Sequence, residues 1–147
     1  MLASAITVIS ALAISALALP GVLNARETFA TWTATDFQEG CSPGGCASSF
    51  NISAPEGYVK NAPAFDVVCH PVYIQQGWVD CDAQDKMAAG SYVASMWTGA
   101  ADREQIKISV EHIWFEGEAR YNATGAAEFA AGTAEFQIPV TNMSAVL

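Results

Sequence analysis

Hydrophobic and polar residues alternate with a period of two in several stretches of the chain after residue 30. The clearest stretch is 106–111, in which Ile106, Ile108 and Val110 alternate with polar residues. This period puts successive side chains on opposite faces of a strand, so the pattern predicts a β-strand with one buried face. Further strands are predicted over 31–37, 48–53, 65–69, 77–81, 91–98, 118–129 and 134–140.

The segments between these strands are predicted to be turns and loops. Residues 54–63 contain two prolines and a glycine, and 99–105 is mostly polar, which is typical of connections. Residues 82–90 fit either one helical turn or a loop, and His70-Pro71 is expected to end the strand at 65–69. No long stretch repeats with the helical period of 3.6 residues. The chain is therefore predicted to be all-β, a single antiparallel barrel or sandwich.

Two places interrupt the regular pattern. The residues from His112 to Phe115 put large side chains on both faces, which either a β-bulge or a strand covered on both sides would explain. Pro139 has no backbone N–H to give to a ladder, so we expect it on an edge strand or at a strand end.

The first residues form an uncharged apolar segment. Residues 3–19 include Ala16-Leu17-Ala18, which fits the hydrophobic region and cleavage site of a signal peptide. We therefore expect residues 1–18 to be a signal peptide. Residues 19–147 are then one secreted, extracellular domain that is not held in a membrane after cleavage.

The charge balance excludes two classes of partner. The chain carries 15 acidic and 6 basic residues, a formal net charge of −9 at pH 7. Nucleic-acid binding depends on basic residues that displace phosphate counterions, and the basic residues here are scattered singly. The same acidity disfavours anionic membrane surfaces. We expect neither nucleic acid nor membrane as a partner.

The four cysteines all lie in one stretch of the chain: Cys41, Cys46, Cys69 and Cys81. In an exported chain they are expected to form two structural disulfides, for which the sequence permits three connectivities. We favour pairing of neighbours, because Pro43-Gly44-Gly45 suits a turn and 69–81 resembles a hairpin. The spacing does not fit a zinc site, and no metal or other cofactor is expected.

Aromatic side chains are the candidates for a binding site. Trp32, Trp97, His112 and Trp114 are predicted to line a small-ligand site, since small barrels can hold one ligand. The competing interpretation is structural. Tryptophan most often fills a core, and a lone histidine is more often hydrogen-bonded beside it.

Three carboxylates allow an enzymatic hypothesis. Glu111, Glu116 and Glu118 could supply the carboxyl pair that glycoside hydrolysis uses. So many acids in a small domain produce such pairs by chance, however, and the chain has no Gly-x-Ser-x-Gly or His-Glu-x-x-His motif. We expect a protein that is not an enzyme and has no catalytic residue.

Three sequons predict a glycoprotein: Asn51, Asn122 and Asn142. Asn51 also alternates with Phe50 and Ile52, so the sequon and the strand pattern both place it on the solvent face.

The order of several features resembles a known family. Trp32 and Phe37 precede Cys41-Ser-Pro-Gly-Gly-Cys46, which is followed by Phe50-Asn51-Ile52, by the cysteines at 69 and 81, and by strands to the end. Over most of 19–147 the chain is similar to small secreted ascomycete proteins. It resembles the Alternaria major-allergen family of β-barrels.

The resemblance implies a secreted fungal β-barrel without enzymatic activity, of a kind found among allergens and among effectors or elicitors that act on plant hosts. It implies that Cys69 and Cys81 form the central disulfide of the family. Some members dimerise or carry small aromatic ligands, so a host protein and a small aromatic ligand are the expected partners. This chain has no cysteine after Cys81, so the disulfide-linked dimer is not expected and the oligomeric state stays open.

Overall fold

The computed structural model describes residues 26–99 and 104–147, and within them the chain forms nine strands and no helix. The strands are β1 (Ala30–Ser42), β2 (Gly45–Ala54), β3 (Phe65–Tyr73), β4 (Val79–Asp80), β5 (Asp82–Ala83), β6 (Tyr92–Trp97), β7 (Gln105–Glu116), β8 (Ala119–Ala130) and β9 (Phe136–Val146). They form one sheet in the order β4-β6-β7-β8-β9-β1-β2-β3-β5, and its strand pairs are antiparallel. The predicted signal peptide 1–18 and residues 100–103 of the predicted turn lie outside the described residues.

The sheet curls into a nearly closed barrel, which confirms the predicted fold class. Its two sides meet where β3 approaches β6: Ile74 bridges to Trp97, and the Gln75 N–H donates to the Trp97 carbonyl over 3.0 Å. Residues 79–83 lie between them, with β4 paired to β6 and β5 paired to β3. We call this region the seam.

Disulfides fasten the seam and one hairpin, and the predicted pairing of neighbours is confirmed. Cys81, between β4 and β5, is bonded to Cys69 of β3. Cys41 and Cys46 are bonded across the end of the β1–β2 hairpin, where they are directly opposite each other. Two disulfides are compatible with an extracellular protein.

The barrel interior is filled by the faces that the alternation predicted to be buried. Ile106, Ile108 and Val110 of β7 all point inward and are inaccessible to solvent. The same holds for alternate residues of the other long strands, including Trp32, Ala34, Phe50, Ile52, Phe65, Val67, Ile138 and Val140. Burial of these side chains is the main stabilising contribution to the fold.

The expectation that His70-Pro71 ends its strand is wrong. β3 continues through both residues to Tyr73. The register between β2 and β3 shifts between Ser48 and Phe50, opposite this point. A bulge leaves an unpaired position in the ladder, and proline needs no hydrogen-bond partner there.

Residues 82–90 contain no helical turn. They begin with β5 and continue as turns and loop to β6.

Pro139 also departs from expectation, because it lies within β9, a strand flanked by both β8 and β1. The pairing of β8 with β9 ends at Gly125 and Val140, so Pro139 sits just past the last paired residue. β9 is therefore a local edge at this point, and the missing N–H leaves no gap in the β8 ladder.

The large residues at 112–115 do not form a bulge. β7 pairs with β8 without a register shift over its whole length. His112 and Trp114 face the interior, whereas Ile113 faces outward and is still 0% exposed. The strand is thus covered on both sides at this position, which was the second of the two predicted alternatives.

Candidate functional site

A loop closes one end of the barrel. Residues 55–64 follow β2 and fold back on themselves, with the Gly57 N–H donating to the Ala62 carbonyl over 2.8 Å. Ala62 is buried, and the ring of Tyr58 packs against the core. Tyr58 makes edge contacts with Trp32, Phe65 and Trp114 at centroid distances of 5.6, 6.0 and 6.5 Å. We call 55–64 the plug loop.

His112 is the polar centre of this aromatic cluster. Its Nδ1 lies 2.9 Å from the Tyr58 hydroxyl, and its ring is 4.7 Å from Phe65 and 5.1 Å from Trp114 between centroids. The side chain is wholly inaccessible to solvent, and Nε2 has no hydrogen-bond partner within the described part of the chain. The strands therefore hold an imidazole in a nearly apolar interior.

Burial changes the protonation of both partners in this hydrogen bond. Loss of hydration lowers the pKa of His112 to about 4, because the interior disfavours the imidazolium ion. Loss of hydration raises the pKa of Tyr58 above its usual value of 10, because it disfavours the phenolate. At neutral pH the pair is an uncharged imidazole joined to an uncharged phenol.

The four predicted ligand-lining residues do not lie around one cavity. Trp32, His112 and Trp114 belong to the cluster at the plug loop, where the Tyr58 ring contacts all three. Trp97 pairs with Ile108 of β7, four positions along the strand from His112, or about 13 Å at the rise of a strand. It lines a separate cavity at the opposite end of the barrel.

Comparison with known proteins identifies no relative of this chain. No family model, curated protein or solved structure matches the chain. The resemblance to the Alternaria major-allergen family therefore stays a prediction, as do the activity and partners that it implies. Within 26–99 and 104–147 no group of three or more His, Cys, Asp or Glu residues is placed to hold a metal ion, and no helix is long and apolar enough to cross a membrane.

The acidic residues of the glycosidase hypothesis are engaged in separate hydrogen bonds. Glu111 accepts from the Asn122 amide over 3.0 Å, and Glu116 accepts from the Asn61 amide over 3.2 Å. Glu118 is exposed in the turn between β7 and β8. Glu111 thus binds a neighbour on the outer face of β7, whereas Glu116, the last residue of that strand, lies on the face that points inward and binds the plug loop.

The three sequons differ in their surroundings. Asn51 is half-buried and donates to the Asp36 carboxylate over 2.8 Å. The Asn122 side chain is held by Glu111 and by the hydroxyl of Thr124, its own sequon residue, over 3.0 Å each. Asn142 is exposed on β9. A glycan on either of the first two would be attached to an amide nitrogen that donates a hydrogen bond in the folded barrel.

A patch of large apolar side chains lies on the outer wall. Tyr92 of β6 is directly opposite Ile113 of β7, and Phe115 follows two residues later on the same face. Tyr92 is 36% and Phe115 47% exposed, and they flank the covered Ile113. We call these three residues the outer aromatic patch.

Tyr58 is the functional candidate that the sequence did not identify. Residues 54–63 were predicted to form a loop, and all of them except Ala54, which ends β2, do so. Nothing in that interpretation placed a side chain of the loop in the aromatic cluster. The available signal was Tyr58-Val59, two large apolar residues in an otherwise polar, proline-rich segment. Such residues in a loop often pack onto the body of the domain.

Proposed function

We propose that this chain is a secreted, non-enzymatic interaction protein of fungal type, an effector or elicitor that binds a host protein through the outer aromatic patch. The observation that supports it is the exposure of Tyr92 and Phe115 at neighbouring positions on the same outer face of β6 and β7. Exposed aromatic residues grouped on a rigid sheet are typical of binding surfaces.

The surroundings of the patch indicate the chemistry of the partner. Glu111 lies on the same face of β7, and Glu118 is exposed in the turn that follows the strand. Arg120 is directly opposite Phe115 on β8. Because the whole chain carries a net charge of −9, long-range attraction favours a partner with a basic surface around an apolar anchor site.

The scaffold suits action outside the cell. A disulfide fastens the seam and another fastens the β1–β2 hairpin. Disulfides persist in oxidising compartments and resist unfolding there. A stable barrel of this kind presents its wall residues without needing the partner in order to fold.

The test compares two exposed aromatic surfaces. The double variant Tyr92→Ser/Phe115→Ser removes the patch, and Tyr73→Ser is the matched control, because Tyr73 is 48% exposed at the end of β3. Each purified protein is infiltrated into leaf tissue, and the burst of reactive oxygen is recorded. Thermal unfolding of each variant verifies that the barrel is intact.

We expect the natural protein and Tyr73→Ser to give a burst and the double variant to give none. A basic partner also predicts that binding to the purified host protein weakens as salt is added. An intact double variant as active as the natural protein would rule out the patch. No burst and no host partner for the natural protein would rule out the function.

A second candidate is a carrier of small aromatic ligands. It is favoured by the cavity that Trp97 lines, away from the patch.

A further inference from the structure

One of the three sequons lies beside the outer aromatic patch. Asn122, which begins the sequon Asn122-Ala123-Thr124, is directly opposite Ile113 of the patch in the ladder between β7 and β8. Opposite residues of an antiparallel ladder point to the same face of the sheet, with their Cβ atoms about 4.5–5.5 Å apart. The Asn122 side chain therefore stands on the outer wall, next to the patch.

Two hydrogen bonds turn the Asn122 amide toward β7. The amide nitrogen donates to the Glu111 carboxylate of β7, and the amide oxygen accepts from the Thr124 hydroxyl of β8, each over 3.0 Å. A glycan is attached to this nitrogen. The nitrogen carries two hydrogens, so one can be replaced by a sugar while the other still donates to Glu111. The first sugar therefore begins between β8 and β7, on the side of the patch and not on the side of β9.

The side chains within reach of such a glycan are exposed and aromatic. Phe115 is diagonal to Asn122 across the same ladder, about 7–8 Å away. One edge of its ring lies against Gly90, where a built Cβ would be 3.5 Å from Cδ2, and 47% of the residue stays exposed. Tyr92 lies one strand further, on the other side of Ile113. The C–H groups on the face of a sugar ring can pack on such aromatic rings by dispersion.

The other two sequons have different neighbours. Asn51 of β2 is paired with Thr35 of β1 and Val68 of β3, neither of which is aromatic. Asn142 is exposed on β9, so it is separated from the patch on β7 by the whole of β8. Of the three sequons, Asn122 is the one whose ladder partner belongs to the patch.

We propose that an N-linked glycan on Asn122 packs over the outer aromatic patch and closes it to protein partners. The glycosylated form then has a covered wall, and the form without the glycan presents Tyr92 and Phe115. Because the glycan is joined covalently beside the patch, it competes with any partner at a high effective concentration. The regulatory role rests on the proposed function, whereas the covering of the patch does not.

Hydroxyl-radical footprinting measures the covering directly. The protein is produced by secretion from a eukaryotic host, and mass spectrometry of its peptides gives the occupancy of Asn122. The rates at which Tyr92 and Phe115 are oxidised are then compared with that of Tyr73, an internal reference that is 48% exposed at the end of β3. Asn122→Gln removes the glycan beside the patch, and Asn142→Gln is the matched control on the next strand.

We expect Tyr92 and Phe115 to be oxidised several-fold more slowly in the natural glycoprotein than in Asn122→Gln, with Tyr73 unchanged. Asn142→Gln should behave like the natural glycoprotein. Enzymatic removal of the glycans from the folded natural protein should restore the faster oxidation. This last measurement decides the matter if Asn122→Gln does not fold.

Two results would overturn the covering. One is equal oxidation of Tyr92 and Phe115 with and without the glycan, and the other is an Asn122 that secretion leaves unmodified. In the leaf assay the glycoprotein should give a weaker burst than its deglycosylated form, and equal bursts would overturn the regulatory role. If neither form gives a burst, the proposed function fails, while the footprint still decides whether the glycan covers the patch.

Discussion

Replacing His112 should change how the stability of the barrel depends on pH. The buried imidazole has a pKa of about 4 in the folded protein, lowered by loss of hydration. In the unfolded chain it has the ordinary value near 6.5. As the pH falls below about 6.5 the unfolded chain therefore takes up a proton that the folded barrel does not. The stability that this histidine contributes is complete above that pH and is lost as the pH falls toward 4.

The magnitude follows from the two pKa values. They differ by about 2.5 units, and one unit corresponds to about 1.4 kcal/mol, so this group alone should remove about 3 kcal/mol of unfolding free energy between pH 7 and pH 4. The steepest part has a slope of about 1.4 kcal/mol per pH unit. This is a large share of the net stability of a small domain, which is about 5–15 kcal/mol.

The chain offers a clean assay, because His70 is the only other histidine. His112→Gln cannot take up the proton, whereas His70→Gln is the control, since the His70 side chain is 52% exposed beside Asp82. Urea unfolding of the three proteins, followed by tryptophan fluorescence from pH 7 to pH 4, gives the free energies. Carboxylate contributions common to the natural protein and His112→Gln cancel in the difference between these two.

We expect the natural protein and His70→Gln to lose about 3 kcal/mol more than His112→Gln over this range. His112→Gln should also be less stable at pH 7, because the glutamine lacks the ring that packs against Phe65 and Trp114. Parallel curves for all three proteins would refute the reasoning. If His112→Gln does not fold, NMR titration of the natural protein decides, since a His112 pKa near 6.5 would refute it equally.

Two further predictions concern the two disulfides and the close contact between Gly125 of β8 and Pro139 of β9. Replacing both cysteines of the Cys69–Cys81 disulfide by serine should lower the unfolding free energy by about 3 kcal/mol, and the same change at Cys41–Cys46 should lower it by about 2 kcal/mol, because the sequence separations are 12 and 5. Urea unfolding measures both losses. Equal losses, or a larger loss for Cys41–Cys46, would contradict the loop-entropy argument. Gly125→Ala should lower the unfolding free energy of the barrel by about 1–3 kcal/mol, because the new Cβ would lie 2.5 Å from the Pro139 carbonyl oxygen. Gly40→Ala is the control, since its Cβ meets nothing within 4 Å and the stability should change little. Thermal unfolding compares the two variants, and equal midpoints would contradict the steric argument.

The sequence identified the strands well because burial in a barrel follows a local period. Ile106, Ile108 and Val110 alternate with polar residues, and the same three side chains fill the interior. The pairing of the cysteines could also be predicted, because each pair lies within a short turn or hairpin. In both cases the information lies within a dozen neighbouring residues.

The order of the strands in the sheet could not be predicted from this local pattern. β9 lies between β8 and β1, and residues 79–83 divide between β6 and β3. β1 and β9 lie near opposite ends of the described chain, and alternation says which face of a strand is buried but not which strand lies beside it. Strand pairing also explains why Pro71 and Pro139 lie within strands, against expectation. Each proline is accommodated where a register shift or the end of a ladder removes the need for its N–H.

The lack of information about strand partners also explains why the four predicted ligand-lining residues do not form one site. Sequence reasoning grouped Trp32, Trp97, His112 and Trp114 by residue type, and the barrel separates Trp97 from the others because it lies near the opposite end of the sheet. Between the two ends, the interior is occupied by Val67, Val110, Ile108 and Ile138, none of them accessible to solvent. The plug loop fills one end of the barrel with Tyr58, whereas the cavity that Trp97 lines lies at the other end.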